Sequence, residues 1–333
     1  MSGSTIQDVA KAAGVSVATV SRVLNNSSSV AGTTRDAVLE AIKRLDYRPN
    51  LLGRNLRRTE TRLVLALLPN IANPFYSRIV KGMEDVAHKN GYNVMLCNTD
   101  SNAERERIYL ELLKNRLADG VIFMAPEIDG SELSAIGESY PIVQCCEYKE
   151  GARIPQVSID NHAASMKVAK HLISLGHKRI GLISCRNSFL STARREQGFR
   201  MALESAGLAL GEQFAVYGDY SFKSGHRAAL NLLSLQDRPT AIFAISDIMA
   251  IGVLRAAREK GLKVPEDLAV AGFDNISFAS MCEPMLTTVS QPKYDLGCTA
   301  MELLLRKLRG ELKEPVDIVL ENELVIREST IKS

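Results

Sequence analysis

The 333-residue chain is 46% hydrophobic and 24% charged, a balance that sustains more than one buried core and excludes a disordered or fibrous protein. No run of about 18 apolar residues is present to span a bilayer, and the opening Met1-Ser2-Gly3-Ser4-Thr5 has neither the basic cluster nor the apolar stretch of an export signal, so a cytoplasmic location without membrane contact is expected. Net charge is only +3, yet residues 1–59 hold nine Lys/Arg against four acids while the remainder holds 32 bases and 34 acids, which confines the polyanion-binding character to the first sixth of the chain.

The first element opens at Thr5-Ile6-Gln7-Asp8, a capping box in which hydroxyl and carboxylate satisfy free amide donors of a first helical turn. Ile6, Val9, Ala10 and Ala13 then form one apolar stripe, and Gly14 supplies a sharp turn. Ser16 caps a second helix over 17–24, with Val20, Val23 and Leu24 facing inward and the short polar set Ala18, Thr19, Ser21, Arg22 and Asn25 facing out. A third helix is expected to open at Thr33 with a capping box to Asp36, to bury Val38, Ile42 and Leu45, and to end at Tyr47-Arg48-Pro49. Such a three-helix bundle leaves the second helix free to lie in a major groove, where slim side chains permit close approach and an arginine reaches guanine through two hydrogen bonds.

The run from Thr5 to Asn25, TIQDVAKAAGVSVATVSRVLN, resembles the head of the lactose/galactose-repressor (LacI/GalR) family of transcription regulators. The resemblance implies base readout by Val17, Ala18 and Arg22 and phosphate contacts from Ser16, Thr19, Ser21, Asn25 and Thr34, with Thr5, Ile6 and Asn50 completing the DNA-facing set. Residues 49–59 resemble that family's hinge helix, and Leu56 matches its minor-groove wedge. Gly53 stands where alanine is usual, at a cost of about 1 kcal/mol in helix propensity, and a looser hinge is expected.

From residue 62 short apolar runs alternate with amphipathic segments. Strand-length runs fall at 63–68, 94–97, 120–124, 142–145, 179–184, 214–216, 241–244 and 268–272, and helical patterns at 76–90, 103–115, 163–175, 194–206, 225–233 and 249–259. This rhythm means βαβ units and parallel sheets. One twisted sheet of so many strands would be unusually large, so two lobes are expected, with ligand beyond the carboxyl ends of the strands. The loops after the strands are rich in carboxylate, guanidinium and aromatic groups, a mixture suited to a sugar, sugar phosphate or nucleoside.

Gly272-Phe273-Asp274-Asn275, Gly176-His177-Lys178-Arg179-Ile180-Gly181, Arg195-Glu196-Gln197-Gly198-Phe199 and Thr287-Thr288-Val289-Ser290-Gln291-Pro292 carry the same family resemblance through this region. The implied fold is an all-α helix-turn-helix DNA-binding head plus an α/β periplasmic-binding-protein-like sensor of two doubly wound parallel-sheet lobes. Head (1–48), hinge (49–60), first lobe (61–160 and 290–320) and second lobe (161–289 and 321–333) are the expected divisions. Implied effector ligands are Arg195 and Asp274, then Asp247, Asp160, Tyr220, Phe75, Asn70 and Gln291. Asp160 and Asp247 carry the competing expectation of capping the helices that follow them, Arg195 that of a solvated helix charge, Asp274 that of a structural turn, and Phe75 that of a core residue.

Resemblance in 261–268 and at Gly53-Arg54 leans toward the cytidine-repressor branch, and control by a partner protein is kept beside it. The expected partners are palindromic operator DNA, a second copy of the chain forming a dimer, and a small-molecule effector acting as inducer or corepressor. Cys97, Cys145, Cys146, Cys185, Cys282 and Cys298 show no CxxC spacing and read as small core hydrophobes. The five histidines lack metal-ligand spacing, so no metal or other cofactor is expected, and no GxSxG or GxxxxGK[ST] motif points to an enzyme.

Overall fold

The computed structural model describes residues 4–24, 29–47 and 60–331. Contacts divide the chain into two units, Met1–Thr61 and Arg62–Ser333.

In the first unit, helix α1 (Ile6–Ala12) begins at the Thr5 box: the Thr5 hydroxyl accepts from the Asp8 N–H at 3.3 Å and the Asp8 carboxylate accepts from the Thr5 N–H at 2.8 Å. Gly14 takes a left-handed φ of 66°, and helix α2 (Val17–Leu24) follows, with the Ser16 hydroxyl accepting from the Thr19 N–H at 3.1 Å. Val9, Ala10, Val20, Val23, Val38 and Ala41 form the core, with Ile6, Leu24, Ile42 and Leu45 packed around it.

Helix α3 (Gly32–Arg44) departs from expectation at both ends. Ala31 sits at the N-cap with no side-chain bond, and its carbonyl accepts from the Arg35 N–H, so Thr33 lies inside the first turn and no box with Asp36 forms. The helix stops at Arg44 because Leu45 caps it and Asp46 turns left-handed at φ 42°.

The second unit holds two six-stranded sheets. The first has strand order β11 (Asp317–Leu320), β5 (Gln156–Ile159), β4 (Ile142–Cys145), β3 (Gly120–Phe123), β1 (Leu63–Leu68), β2 (Asn93–Asn98), all parallel. The second has β12 (Glu323–Val325), β10 (Thr287–Ser290), β9 (Ala269–Asp274), β8 (Ala241–Ala244), β6 (Ile180–Cys185), β7 (Ala215–Gly218), with β12 antiparallel at one edge. β5, β10, β11 and β12 have four residues or fewer and fall outside the runs that periodicity identified.

Strand β1 explains the layering. Val64, Ala66 and Leu68 belong to the core that includes helices α4 (Phe75–Lys89) and α11 (Lys293–Leu308), whereas Leu65 and Leu67 join the core of α5 (Ala103–Lys114) and α6 (Gly130–Ser139). A period-2 strand with both faces apolar needs helices on both sides. α4 and α11 approach so closely that a Cβ on Gly297 would stand 1.9 Å from the Ile79 carbonyl oxygen.

On the second sheet, α7 (Asn161–Ser174) pairs with α8 (Leu190–Ser205), and α9 (Phe222–Leu233) pairs with α10 (Asp247–Glu259). The chain passes between the sheets after β5, after β10 and between β11 and β12. The first two of these crossings place Asn161 and Gln291 at the junction of the lobes.

Candidate functional site

In the head, Ala18 and Arg22 lie four residues apart on α2 and are both exposed, while Val17, Thr19 and Ser21 beside them are half-buried. The spacing sets them on one helix face. Ser16 is exposed with its hydroxyl 2.9 Å from that of Thr19, Thr34 is half-buried in the first turn of α3, Thr5 is the exposed cap of α1, and Ile6 packs on the bundle core. Asn25, Asn50, Leu56 and the hinge segment 49–59 lie outside the described residues.

In the sensor unit, a cleft of about 640 Å³ is walled by loops that follow strands of both sheets. The first sheet contributes Asn70, Asn73 and Phe75 after β1, Glu127 after β3, and Cys146-Glu147 after β4. The second contributes Arg186, Asn187 and Phe189 after β6, Asp219 and Tyr220 after β7, Ser191 and Arg195 from α8, and Asp274 at the end of β9. The crossings contribute Asn161 and Gln291.

Arg195 is only 5% exposed, so a solvated helix charge is ruled out. Its Nε donates to Asn161 Oδ1 and its Nη1 to the Ile245 carbonyl, each at 2.8 Å, and its guanidinium lies 3.7 Å above the Phe273 ring. Nη1 also stands 3.6 Å from Asp274 Oδ1. Asp274 accepts from Gln291 Nε2 at 2.7 Å, and Lys293 Nζ donates to the Asp274 carbonyl. Burial pushes the Asp274 carboxyl up to about 6, against the opposing pull of Arg195 and Lys293.

Asp274 (φ 111°), Asn275 (φ 49°), Tyr220 (φ 64°) and Cys146 (φ 72°) are non-glycine residues in left-handed conformations at or beside the cleft. Backbone strain of this kind gathers where surrounding structure holds functional side chains in place. Tyr220 is fixed by a 2.7 Å bond between its hydroxyl and that of Thr192, and Phe189 stands 6.3 Å from its ring. Phe75 is 8% exposed, packed edge-on against Tyr76 at 5.1 Å, and serves core and cleft together.

Thus Asn70, Phe75, Arg195, Tyr220, Asp274 and Gln291 converge on one cleft, and Asp160 and Asp247 do not. Asp160 is exposed and caps α7, its Oδ1 accepting from the Ala163 N–H at 2.9 Å; its neighbour Asn161 takes the inward place. Asp247 is fully buried behind the cleft floor, accepting from the Ile276 N–H at 2.8 Å and the Thr288 hydroxyl at 2.6 Å. The cap of α10 is Ser246, which leaves the adjacent aspartate to the interior, where burial and then the nearby Asp274 charge raise its pKa.

Sequence reasoning missed Asn161, Glu127 and Glu147. The last two join the lobes across the cleft: Glu147 accepts from the Ser191 N–H at 3.1 Å near the start of α8, and Glu127 accepts from the Ser188 hydroxyl at 2.8 Å. Burial raises the Glu147 carboxyl, while Ser191 and Arg195 draw it back down. No local pattern signals either bond.

Known proteins resemble the chain along its length. Residues 5–50 match the family described as bacterial regulatory proteins, lacI family, and residues 169–330 match a periplasmic binding protein-like domain. Catabolite control protein A of Priestia megaterium is 38% identical over 98% of this chain and 99% of its own length. The HTH-type transcriptional repressor CytR of Escherichia coli K12 is 37% identical over 98% of this chain and 96% of its own. The crystal structure of the lac repressor dimer bound to operator and the anti-inducer ONPF matches with a TM-score of 0.89, 28% identity, and coverage of 99% of this chain and 100% of that one. Among the described residues no helix is long and apolar enough to cross a membrane.

Proposed function

Because this chain belongs to the lacI family of bacterial regulatory proteins, we propose that it is a transcriptional repressor that binds a palindromic operator as a homodimer and is controlled by a neutral, hydroxyl-rich metabolite held in the cleft. Ala18 and Arg22 on the exposed face of α2 support major-groove readout, and the hydroxyls of Ser16 and Thr19 at the helix start are assigned to phosphate oxygens. Two copies on a two-fold operator double these contacts. The lac repressor dimer offers the precedent for such an arrangement.

The observation that carries the ligand assignment is the buried Arg195–Asp274 pair in the floor of the cleft. A guanidinium donates in a fixed fork and a carboxylate accepts, so together they clasp a hydroxyl group that does both. Charge decides between candidate classes. Asp100, Glu127, Glu147, Asp219 and Asp274 line the cleft against Arg186 and Arg195. This acidic wall disfavours a sugar phosphate and favours a neutral sugar, with a nucleoside as the second candidate; Phe75, Phe189 and Tyr220 supply apolar faces for either ring.

A ligand shifts the arrangement of the lobes only by its differential affinity for the two states. The bonds of Glu127 to Ser188 and of Glu147 to Ser191 join the lobes, and a ligand that meets Glu127, Glu147 and Ser191 in the cleft would supply that difference. A thermal-shift screen of neutral sugars, nucleosides and sugar phosphates tests the reading. Stabilisation by a neutral hydroxylated compound supports it, and stabilisation confined to phosphorylated compounds overturns the ligand assignment.

A further inference from the structure

Two adjacent thiols stand at the cleft wall, one lining it and one buried behind it. Cys145 ends β4, and Cys146 follows it at φ 72°, which brings the two sulfurs to 3.6 Å. Cys145 is fully buried, with its sulfur 3.7 Å from the Leu296 carbonyl, whereas Cys146 is half-buried and lines the cleft.

Distance decides what such a pair can hold. A disulfide needs its sulfurs at about 2.05 Å and its Cα atoms at about 4.4 Å or more, and neighbouring residues across a trans peptide are held at about 3.8 Å. Two sulfurs bonded at about 2.3 Å to one tetrahedral zinc stand about 3.7 Å apart, and the narrower angle at a pyramidal trivalent centre draws them a few tenths of an ångström closer, which a small rotation of either side chain supplies from 3.6 Å. Zinc would demand two further ligands, and among the described residues no group of three or more His, Cys, Asp or Glu that could hold a metal ion occurs. Trivalent arsenic bearing one organic group is complete with two sulfurs.

We propose that Cys145 and Cys146 form a dithiol site for a trivalent organoarsenical, R–As(OH)2, with R projecting into the cleft. Two As–S bonds replace two As–OH bonds, and each thiol proton leaves with a hydroxide as water. Arsenic stays trivalent, so no oxidant or reductant takes part. Hydrogen bonding to Cys145 and burial hold the Cys146 thiol well above its ordinary pKa, so the protonated thiol is the resident form and the condensation carries its proton away. The bound group would exclude the metabolite from the cleft; that consequence rests on the proposed function, and the site itself does not.

The test treats the full chain with phenylarsine oxide and follows intact mass, peptide mapping and thiol titration, with no metabolite present. The expected result is one phenylarsenic group per chain, mapped to residues 145–146, retained in excess glutathione and released by a dithiol such as 2,3-dimercaptopropanol, with four of the six cysteines still titratable after unfolding. Cys146→Ser should make the adduct glutathione-labile, and Cys185→Ser should leave it intact. An adduct on the native chain that glutathione strips, that maps elsewhere, or that persists in Cys146→Ser overturns the proposal.

Discussion

Arg195 and Asp274 face each other across 3.6 Å, and each is tied to a different crossing between the lobes: Arg195 to Asn161, and Asp274 to Gln291. A ligand that bonds to the pair therefore reaches two of the three strips of chain that cross between the lobes. Replacing Asp274 by Asn removes a charged acceptor while keeping the shape. A hydrogen bond to a charged group contributes about 1.5–3 kcal/mol, so metabolite affinity should fall about 10- to 100-fold. Isothermal titration measures this, and operator affinity without metabolite should be unchanged. Loss of both together would assign Asp274 a structural role.

The same carboxyl makes stability depend on pH. Asp274 is raised from 3.8 to about 6 by burial, so in the folded protein it keeps a proton that the unfolded chain has already released. The stability it lends is complete below 3.8 and is lost as pH rises through about 6. The difference in unfolding midpoint, native minus Asp274→Asn, should shrink over that interval. A difference that is flat or grows with pH would refute the assignment.

Helix α1 is predicted to depend on its cap. Thr5→Ala deletes the hydroxyl half of the box, leaving only the bond from the backbone N–H of residue 5 to the Asp8 carboxylate, and should cost the head about 1 kcal/mol. The check is hydrogen exchange of α1 amides, which should quicken while exchange in the sensor unit stays the same.

Helices α4 and α11 meet through glycine. A Cβ on Gly297 would collide with backbone, 1.9 Å from the Ile79 carbonyl oxygen, and one on Gly82 would fall 2.2 Å from that of Tyr294. Gly297→Ala should lower unfolding free energy by about 1–3 kcal/mol in urea titration. An unchanged midpoint would mean that the helices part without cost.

Arg22→Ala should weaken operator binding by about 1–3 kcal/mol and relax the preference at one base pair in each half-site. Ligand-induced thermal stabilisation should be unaffected, which separates the reading face from the sensor.

Features governed by near neighbours were legible in the sequence. The Thr5 box, the Ser16 cap and the alternating strand runs depend on residues a few positions apart, and the structure contains them. The start of α3 was not legible, because Ala31 occupies a cap position with no side chain able to announce it. Neighbouring cap-formers also defeat local reading. At 246–247 the serine caps and the aspartate turns inward, whereas at 160–161 the aspartate caps and the asparagine turns inward. Glu147 and Glu127 find their partners 44 and 61 residues away, a separation that leaves no periodic trace.

The central claim is that a metabolite in the cleft governs how tightly the head holds a two-fold operator. Fluorescence anisotropy of the full chain on a selected palindrome and on random duplex, at physiological ionic strength and across a titration of the stabilising metabolite, tests it most directly. The account predicts a strong palindrome preference in the native chain that changes with metabolite, and the same preference in Asp274→Asn with that change displaced to about 10- to 100-fold higher metabolite. Equal affinity for palindrome and random duplex, or a metabolite response in Asp274→Asn at the same concentration as in the native chain, would contradict it.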